Sequence, residues 1–245
     1  MQAGSSRSPI FALDVSSLAR WVGPPTGMLR VERELARHAL RLPDTVTPVI
    51  FDPGTGAFRA IRPDTADALL DWSGVLVEPA GRAARGLARL VSRPYIVCRI
   101  EQLRLRARTP LARTALDALQ RLVLAVRPSG LKLDDANGAR RTLLLHDDVI
   151  GAPVKLEEGD RLLCVASDWW NKDEGLLRGL RARGVLMTAL CFDIIPLTHP
   201  QFYPASEVRR FREHWEALFA AASGVIVNSE SVRRDVTAYC AGRGI

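Results

Sequence analysis

Long apolar runs are missing from this sequence. No stretch approaches the roughly 18 consecutive apolar residues that a membrane-spanning helix needs. The N-terminal segment MQAGSSRSPIFALDVSS has neither a long apolar core nor a small-residue cleavage site, so it does not resemble a secretory signal. We therefore expect no membrane span and place the protein in the cytoplasm.

Cysteine is scarce as well, and the four cysteines form no CxxC pair. Cys164 and Cys191 lie inside apolar runs, which is typical of small buried residues in a reducing compartment. The run His146-Asp147-Asp148 invites a metal-site interpretation. However, neighbouring residues of a strand point to opposite faces, and no partner cluster is visible. We expect a surface hairpin there and no metal site.

The glycine-rich motifs of nucleotide-binding loops are absent too. A dinucleotide-dependent dehydrogenase or epimerase would carry G-x-G-x-x-G after its first strand, whereas the corresponding segment here reads GPPTG. That segment also differs from a Walker loop. Both differences argue against a stand-alone dinucleotide-binding enzyme.

Positive charge, by contrast, is abundant. The chain has 34 Lys and Arg residues against 27 Asp and Glu residues, a formal net charge of +7 at pH 7. Such a surface attracts phosphate groups, which suggests a basic membrane-surface or nucleic-acid binding module as an alternative function. Only 6% of the residues are aromatic, and RNA-binding surfaces usually interleave aromatic and basic side chains. We therefore expect no nucleic-acid partner.

The basic charge is concentrated in residues 80–127, where Glu101 and Asp117 are the only acidic residues. The spacing of four arginines predicts a helix with one basic stripe, made of Arg82, Arg85, Arg89 and Arg93. A second helix is predicted to begin after Thr109 as N-cap, with Pro110 as its first residue. Its predicted apolar face consists of Leu111, Ala115, Leu119, Leu122 and Val126.

We expect this apolar face to pack on the sheet and to leave a solvated basic face. The alternative is a surface that meets an anionic membrane or a lipid-linked phosphate.

Apolar strands alternate with amphipathic helices along the rest of the chain. Strands are predicted in PIFALDVSS, RLLCVAS, VLMTALC and GVIVNS, and two more surround the turn DPGTG. Helices are predicted at residues 28–41, 172–183 and 206–222. The first of these helices carries its apolar positions on one face, at Met28, Val31, Leu35 and Leu42. The alternation predicts an α/β fold: one Rossmann-like domain over residues 1–245, with a mostly parallel sheet and helices on both faces.

Polar residues follow several of these strands, and open parallel sheets bind ligands at the carboxyl ends of their strands. After the first strand, Thr26 and Gly27 lead into a helix whose N-terminus is suited to a phosphate. Arg30 would add a forked hydrogen-bond donor one turn later. The alternative is an ordinary strand–helix connection.

The later strand ends carry further candidates. Asp168 and Trp169 suit a sugar ring, or else cap a helix and fill the core. Asp193 can act as a base or hold a hydroxyl group, or else accepts hydrogen bonds from loop amides. Asn228 and Ser229 follow the last strand, where Ser229 is typical of an N-cap.

Four segments resemble a known family in their order and spacing: LDVSSLARWVGPPTGMLRVERELARHAL, EEGDRLLCVASDWW, CFDIIPLTHPQFYP and ASGVIVNSESVRRDV. They are similar to the N-terminal half of bacterial GT-B glycosyltransferases of family 4, which build O-antigen and capsule chains. The matching patterns are D-x-S, T-G-[IM]-x-R-V-E, G-D-x-L, D-[LI]-I-P-L-x-H-P and [NS]-S-E-x-x-R-x-D. The resemblance covers residues 11–236 and leaves the basic segment unplaced.

The resemblance implies one half of a GT-B fold, the acceptor-side domain, in a chain that stops about where the donor-binding domain of the family begins; either this is one domain of a longer protein or the natural product is truncated. It implies a hexosyltransferase that moves sugar from a nucleotide-sugar co-substrate to a saccharide or lipid-linked acceptor. Neither a divalent metal nor another cofactor is implied, and the enzyme would work in the cytoplasm, peripherally at the inner membrane face. Because the donor-binding half is missing, we expect the chain alone to be inactive.

The motif positions assign roles to individual residues. Thr26 and Gly27 match the turn that faces the donor diphosphate, and Arg30 matches the family arginine. Asp193 is the catalytic candidate, while Asp168, Trp169, Asn228 and Ser229 belong to substrate binding. Phe192 stands where many relatives have a histidine proposed to contact the sugar, which leaves Asp193 as the polar candidate there.

Overall fold

Parallel strands dominate the sheet of this protein, seen in a computed structural model. The structure describes residues 7–19, 26–43, 45–70, 100, 103–104, 107, 109–125, 132–134, 140–142, 149–165, 172 and 174–245. The sheet strands within these ranges are β1 (Phe11–Asp14), β2 (Thr47–Asp52), β3 (Ala57–Ile61), β6 (Ile150–Val154), β7 (Arg161–Cys164), β8 (Leu186–Cys191) and β9 (Gly224–Val227). A separate hairpin is formed by β4 (Lys132–Asp134) and β5 (Arg140–Thr142).

The seven-stranded sheet has the order β6-β3-β2-β1-β7-β8-β9. β1 pairs in parallel with both β2 and β7, and β8 and β9 continue the parallel side. β3 runs antiparallel to its neighbours β2 and β6, so it alone among these seven strands runs against the others. The prediction of an α/β fold with a mostly parallel sheet is confirmed.

Five of the seven helices among the described residues lie where they were predicted, and those at Pro63–Leu70 and Ile195–Thr198 were not predicted. The seven are α1 (Gly27–Leu40), α2 (Pro63–Leu70), α3 (Pro110–Ala125), α4 (Glu174–Ala182), α5 (Ile195–Thr198), α6 (Ala205–Ala221) and α7 (Glu230–Arg243), with a 3₁₀ turn at Pro200–Phe202. Side-chain caps start several of them. The hydroxyl groups of Thr26, Thr109 and Ser229 accept hydrogen bonds from the backbone amides three residues later. The predicted caps at Thr109 and Ser229 are therefore confirmed.

Both faces of the sheet are covered by apolar side chains, because neighbouring strand residues point to opposite sides. Ala12 of β1 belongs to the core that contains the buried residues of α4, α6 and α7. Leu13, one position later, belongs to the core that contains those of α1 and α2. The strand edge is an exception to this coverage, since Val225 and Ile226 of β9 are 38% and 49% exposed.

The predicted buried face of α1 is wrong. Met28 and Val31 are exposed, and the buried positions lie one residue further on, at Leu29, Glu32, Ala36 and Ala39. The reason is that Glu32 is satisfied inside the protein: its side-chain oxygen Oε1 accepts hydrogen bonds from the amides of Ser17 and Leu18. Because a glutamate takes one of the buried positions, the buried face of α1 lies about 100° of helix rotation away from the face that the apolar residues predict.

The predicted packing of α3 is wrong as well. Leu111 is 84% exposed and Leu122 is 66% exposed, while Gln120 is buried. Leu116 and Val123 are half-buried and lie on the Gln120 side of the helix. Because α3 has apolar residues on both sides, its periodicity did not determine which side packs.

Some elements were not predicted, and some predictions lie outside the described residues. The sequence patterns missed strand β6, the β4–β5 hairpin and the helices α2 and α5. The basic stripe Arg82 to Arg93, the His146-Asp147-Asp148 run, and Asp168 with Trp169 fall outside the described ranges. Within those ranges, no helix combines the length and hydropathy that crossing a bilayer requires.

Candidate functional site

The chain reverses its direction of travel across the sheet between β1 and β7. From β1 it moves to β2 on one side, and later it returns to β7 on the other side and continues to β8 and β9. In open parallel sheets, ligands bind at such a switch point, outside the carboxyl ends of the strands. Asp14 and Cys164 end the two strands and pair directly with each other in register.

Ionisable side chains are buried beneath this switch point. We call Asp14, Ser16, Glu32 and Lys172 the switch-point cluster; all four are at most 6% exposed. Lys172 donates to Asp14 Oδ2 in an ion pair. Asp14 Oδ1 accepts from the Ser16 hydroxyl at 2.5 Å, and Ser16 Oγ in turn accepts from the Phe51 amide at 2.8 Å.

Glu32 occupies the α1 side of the cluster. Its Oε1 accepts hydrogen bonds from the amides of Ser17 at 3.0 Å and Leu18 at 3.2 Å. Burial, followed by the nearby Asp14 carboxylate, raises the pKa of Glu32 to about 8. Glu32 is therefore mostly protonated at pH 7, and its fixed position ties α1 to the loop that follows β1.

A pocket of about 240 Å³ opens at the same edge of the sheet. Its walls come from the start of α1, the ends of β7 and β8, and the region from α5 to α6. Its aromatic lining consists of Phe192, Tyr203, Phe211 and Trp215. Its other lining residues are Met28, Val165, Leu190, Asp193, Pro196, Glu207 and His214. The described lining is thus mainly apolar, with two carboxylates and one imidazole.

Two residues that line this pocket, His214 and Trp215, each have a buried ring nitrogen without a partner among the described residues. His214 Nδ1 and Trp215 Nε1 are both buried without a hydrogen bond, and their residues are 7% and 8% exposed. The two rings meet edge to face, with centroids 5.8 Å apart. Buried polar atoms are almost always hydrogen-bonded in folded proteins, so these two nitrogens leave hydrogen-bonding capacity in the pocket wall that the described residues do not use.

His214 connects the pocket to the switch-point cluster. Its ring forms a hydrogen bond with the main chain of Lys172. Burial, and then the positive charge of Lys172, lower the pKa of His214 to about 4. The imidazole is therefore neutral at pH 7, so it can donate or accept a hydrogen bond but supplies no positive charge to a ligand.

Asp193 and the start of α1 meet at this pocket, as predicted for strand ends. Asp193 Oδ1 accepts from the Ile195 amide at 3.1 Å, which is the loop-capping role that was the alternative for this residue. Its second oxygen, Oδ2, makes no hydrogen bond with a described residue. On α1, Met28 lines the pocket, directly after Gly27.

Gly27 does not need to be glycine for the backbone's sake. It is not among the glycines with positive φ, and a Cβ added there would meet no atom within 4 Å. The space beside it is open at the pocket's rim. Arg30, one turn into α1, is exposed and makes no hydrogen bond or ion pair with a described residue.

The remaining predicted residues are not brought to the pocket. Asn228 and Ser229 lie at the end of β9, two strands away from β7, and both are exposed. Ser229 Oγ is occupied as the cap of α7. Asp168 and Trp169 lie in 166–171, outside the described residues.

The sequence patterns missed the α6 side of the site. Phe211, His214, Trp215, Leu218 and Phe219 recur at the three- and four-residue spacing of one helix face, which places a histidine among apolar residues. That spacing was the signal that could have identified His214. The Lys172–Asp14 pair carried no such signal, since 158 residues separate the two.

The described residues also bear on two other kinds of site, a nucleophilic cysteine and a metal centre. Burial raises the pKa of Cys164 and of Cys191 to about 12, so neither thiol is a nucleophile at neutral pH. Across the described ranges, no group of three His, Cys, Asp or Glu side chains is placed to hold a metal ion.

Comparison with protein-family models, curated proteins and solved structures finds no significant match to this chain.

Proposed function

We propose that this chain is the acceptor-side domain of a glycosyltransferase of the GT-B type. In this proposal the acceptor is a saccharide, free or lipid-linked, of a cell-surface polysaccharide such as O-antigen or capsule. The observation that carries the proposal is the pocket at the switch point. It combines an aromatic lining, one available carboxylate oxygen and two buried ring nitrogens without partners.

These features suit an uncharged sugar ring. The faces of Trp215 and Phe211, whose centroids lie 6.0 Å apart, offer apolar surface to the C–H face of a pyranose. The Trp215 N–H donates to a hydroxyl oxygen, and Asp193 Oδ2 accepts from a hydroxyl group. Asp193 and Glu207 are the charged residues of the described lining, so an anionic group such as a phosphate is disfavoured inside the pocket.

The donor nucleotide sugar is then held outside this pocket. We assign the donor diphosphate to the start of α1, where Arg30 is exposed and the space beside Gly27 is open. In the transfer, the acceptor hydroxyl oxygen bonds to the anomeric carbon, and the bond from that carbon to the phosphate oxygen breaks, so the nucleoside diphosphate leaves. The hydroxyl proton passes to Asp193 Oδ2. Asp193 orients the hydroxyl by accepting its hydrogen bond, and α1 brings the phosphate-facing rim beside it.

The pocket is tested by NMR titration of the ¹⁵N-labelled chain with neutral sugars, including hexoses, acetamidohexoses and deoxyhexoses. The Trp215 Nε1–H resonance is assigned by its loss in Trp215→Phe. We expect a saturable shift of this resonance with at least one neutral sugar, because the indole N–H gains an acceptor. A shift with nucleotides or oligonucleotides and none with sugars would overturn the proposal.

A matched pair of variants tests whether the sugar binds in this pocket. Phe211→Ala, inside the pocket, is expected to weaken sugar binding about tenfold, the loss of one good aromatic contact. Phe202→Ala, at a residue that is 74% exposed and not part of the lining, is expected to change nothing.

The proposal also assigns donor binding to a second domain. We therefore expect the 245-residue chain alone to bind the sugar without transferring one from any nucleotide sugar. Turnover above roughly one per second, typical of complete enzymes, would contradict this division of labour.

A further inference from the structure

The surroundings of His214 determine which of its ring nitrogens carries the proton. The ring forms a hydrogen bond with the main chain of Lys172, and that bond acts to raise the pKa of His214 against the larger effect of burial. A hydrogen bond that favours the charged imidazole is one that the ring donates, so its acceptor is the Lys172 carbonyl. Because His214 Nδ1 has no partner among the described residues, the donor is Nε2–H.

This bond leaves an acceptor and a donor side by side in the pocket wall. The neutral His214 ring has one N–H, which Nε2 uses towards Lys172, so Nδ1 holds a lone pair and accepts only. The buried Trp215 Nε1–H, also without a partner among the described residues, donates only. Because the two ring centroids lie 5.8 Å apart, the unused acceptor and the unused donor belong to one small part of the wall.

We propose that the pocket selects an acetamido sugar and that His214 is the residue that recognises its amide group. The inference rests on the proposed sugar pocket and narrows its ligand. The amide N–H donates to His214 Nδ1, and the amide carbonyl accepts from Trp215 Nε1–H in place of a hydroxyl oxygen. The methyl of the acetamido group suits the apolar part of the lining, to which Met28, Val165 and Leu190 belong.

Other groups of sugars satisfy this wall less completely. A hydroxyl group can bond both ring nitrogens, but it brings no methyl to the apolar lining. An ammonium group can donate to His214 Nδ1, but it offers no acceptor to the Trp215 N–H, and its charge is costly to remove from water. The carboxylates of Asp193 and Glu207 would favour the ammonium group, which makes the amino sugar the informative competitor.

Calorimetric titration of the 245-residue chain with four matched methyl glycosides tests the proposal. They are the hexose, its 2-acetamido, its 2-amino and its 2-O-acetyl derivative, each in the gluco, galacto and manno series. The O-acetyl ester keeps the carbonyl and the methyl but has no N–H to donate. In at least one series we expect the acetamido sugar to bind at least about tenfold more tightly than the other three, because each of them leaves hydrogen-bonding or apolar contacts unmade.

The outcomes separate this inference from the sugar pocket itself. Binding of the hexose or the ester as tight as that of the acetamido sugar would overturn the inference and leave the sugar pocket standing. Tighter binding of the amino sugar would do the same. Absence of binding by all these sugars would overturn both proposals.

Variants of His214 locate the selectivity. His214→Phe keeps a ring but removes the acceptor, so we expect the acetamido sugar to lose at least about tenfold in affinity while the hexose is unaffected. His214→Asn places an amide oxygen near the position of Nδ1 and is expected to restore part of the preference. His199→Phe, at an exposed histidine outside the lining, is the matched control and is expected to keep it fully. Full preference in His214→Phe would overturn the role of His214.

The ring nitrogens of His214 give a readout that needs no change in the pocket. In long-range ¹H–¹⁵N spectra of the wild type at pH 7, assigned by comparison with His214→Asn, we expect Nδ1 to be unprotonated. Its resonance is expected to move upfield with the acetamido sugar and to stay in place with the hexose, because only the amide N–H donates to it. A protonated Nδ1 in the free chain, or equal shifts with both sugars, would overturn the proposal.

Discussion

The Lys172 ammonium and the Asp14 carboxylate form an ion pair whose side chains are only 4% and 0% exposed. The pair joins the end of β1 to the segment that precedes α4. Because His214 also hydrogen-bonds the main chain of Lys172, the same residue supports the wall of the pocket. The buried pair therefore positions the site as well as the fold.

Lys172→Met is expected to destabilise the protein by about 3–5 kcal/mol, because it leaves a buried carboxylate without its counter-charge. Adding Asp14→Asn is expected to restore part of that loss, since the remaining partner is then uncharged. Urea unfolding of the two single variants and the double variant measures the coupling. Arg178→Met, in the exposed i,i+4 pair with Glu174, is the control and is expected to cost less than about 0.5 kcal/mol.

The raised pKa of Glu32 predicts that the free energy of unfolding falls as the pH rises above about 4.5. Its pKa is about 8 in the folded protein, whereas its ordinary value is 4.5. Between these values the folded chain binds more protons than the unfolded chain. The contribution of Glu32 is thus fully present below pH 4.5 and is lost as pH rises through about 8.

Glu32→Gln keeps an oxygen for the Ser17 and Leu18 amides but cannot ionise. Relative to the wild type, we expect this variant to gain about 1–3 kcal/mol of unfolding free energy between pH 5.5 and pH 8.5. Urea denaturation at the two pH values measures the gain. Glu230→Gln is the flat control, because Arg233 lowers the pKa of Glu230 and the contribution of that group changes only below its ordinary value of 4.5, outside this pH range. A flat difference for Glu32→Gln would contradict the prediction.

Most element positions were predictable from sequence, while the burial of single side chains often was not. The four apolar runs and the 3.6-residue periods of α4 and α6 reflect local physics, and strands and helices form where they were expected. α1 was misjudged because the partners of Glu32 are backbone amides of the β1–α1 loop, 14 and 15 residues away. Apolar periodicity cannot anticipate a glutamate that is satisfied in this way.

The candidate site was predictable only in part, for a related reason. Asp193 and the start of α1 could be expected at the pocket because strand ends gather at one edge of a parallel sheet. Tyr203 and Glu207 reach the same pocket from the region of α6, and their place depends on how α5 and α6 fold back over β8. That return path is set by tertiary packing and leaves no local pattern.

Substitution of Trp215 is expected to affect sugar affinity much more than the free energy of unfolding. Trp215→Phe is expected to change the unfolding free energy by less than about 1 kcal/mol, because the lost ring contacts are offset by removal of an unpartnered N–H. Sugar affinity, in contrast, is expected to fall at least about tenfold. Calorimetric titration and urea unfolding measure the two effects.

Tyr239→Phe provides the converse control for Trp215. The Tyr239 hydroxyl donates to Glu216 at 2.6 Å, outside the pocket. Its removal is expected to cost about 1 kcal/mol of stability and to leave sugar affinity unchanged. If Trp215→Phe behaved in the same manner, its indole N–H would have no role in binding.

Two substitutions distinguish the loop-capping role of Asp193 from its proposed role in sugar binding. Asp193→Asn retains an oxygen for the Ile195 amide and is expected to alter stability by less than about 0.5 kcal/mol, whereas Asp193→Ala is expected to lose about 1 kcal/mol. Both are expected to weaken sugar binding about ten- to hundredfold, since the charge-assisted bond to a sugar hydroxyl disappears. Full affinity in Asp193→Asn would reduce this residue to a loop cap.

Gly27 tests whether the start of α1 faces a ligand or only connects two elements. Gly27→Val is expected to leave the circular dichroism spectrum and the unfolding free energy nearly unchanged, because its Cβ would meet no atom within 4 Å. Gly184→Ala is the contrasting glycine control: its φ is +79° and its Cβ would lie 2.9 Å from Glu158 Cγ, so it is expected to destabilise the fold.

When a donor-binding domain is supplied, Gly27→Val is expected to slow transfer about a hundredfold or more, because the valine fills the open rim where the diphosphate would approach. Arg30→Ala is expected to slow transfer about ten- to hundredfold through loss of one charge-assisted hydrogen bond. Rates are compared under identical donor and acceptor concentrations, after circular dichroism has established that each variant is folded. Full activity in both variants would make this turn a plain connector and would move the phosphate-facing role to another strand end.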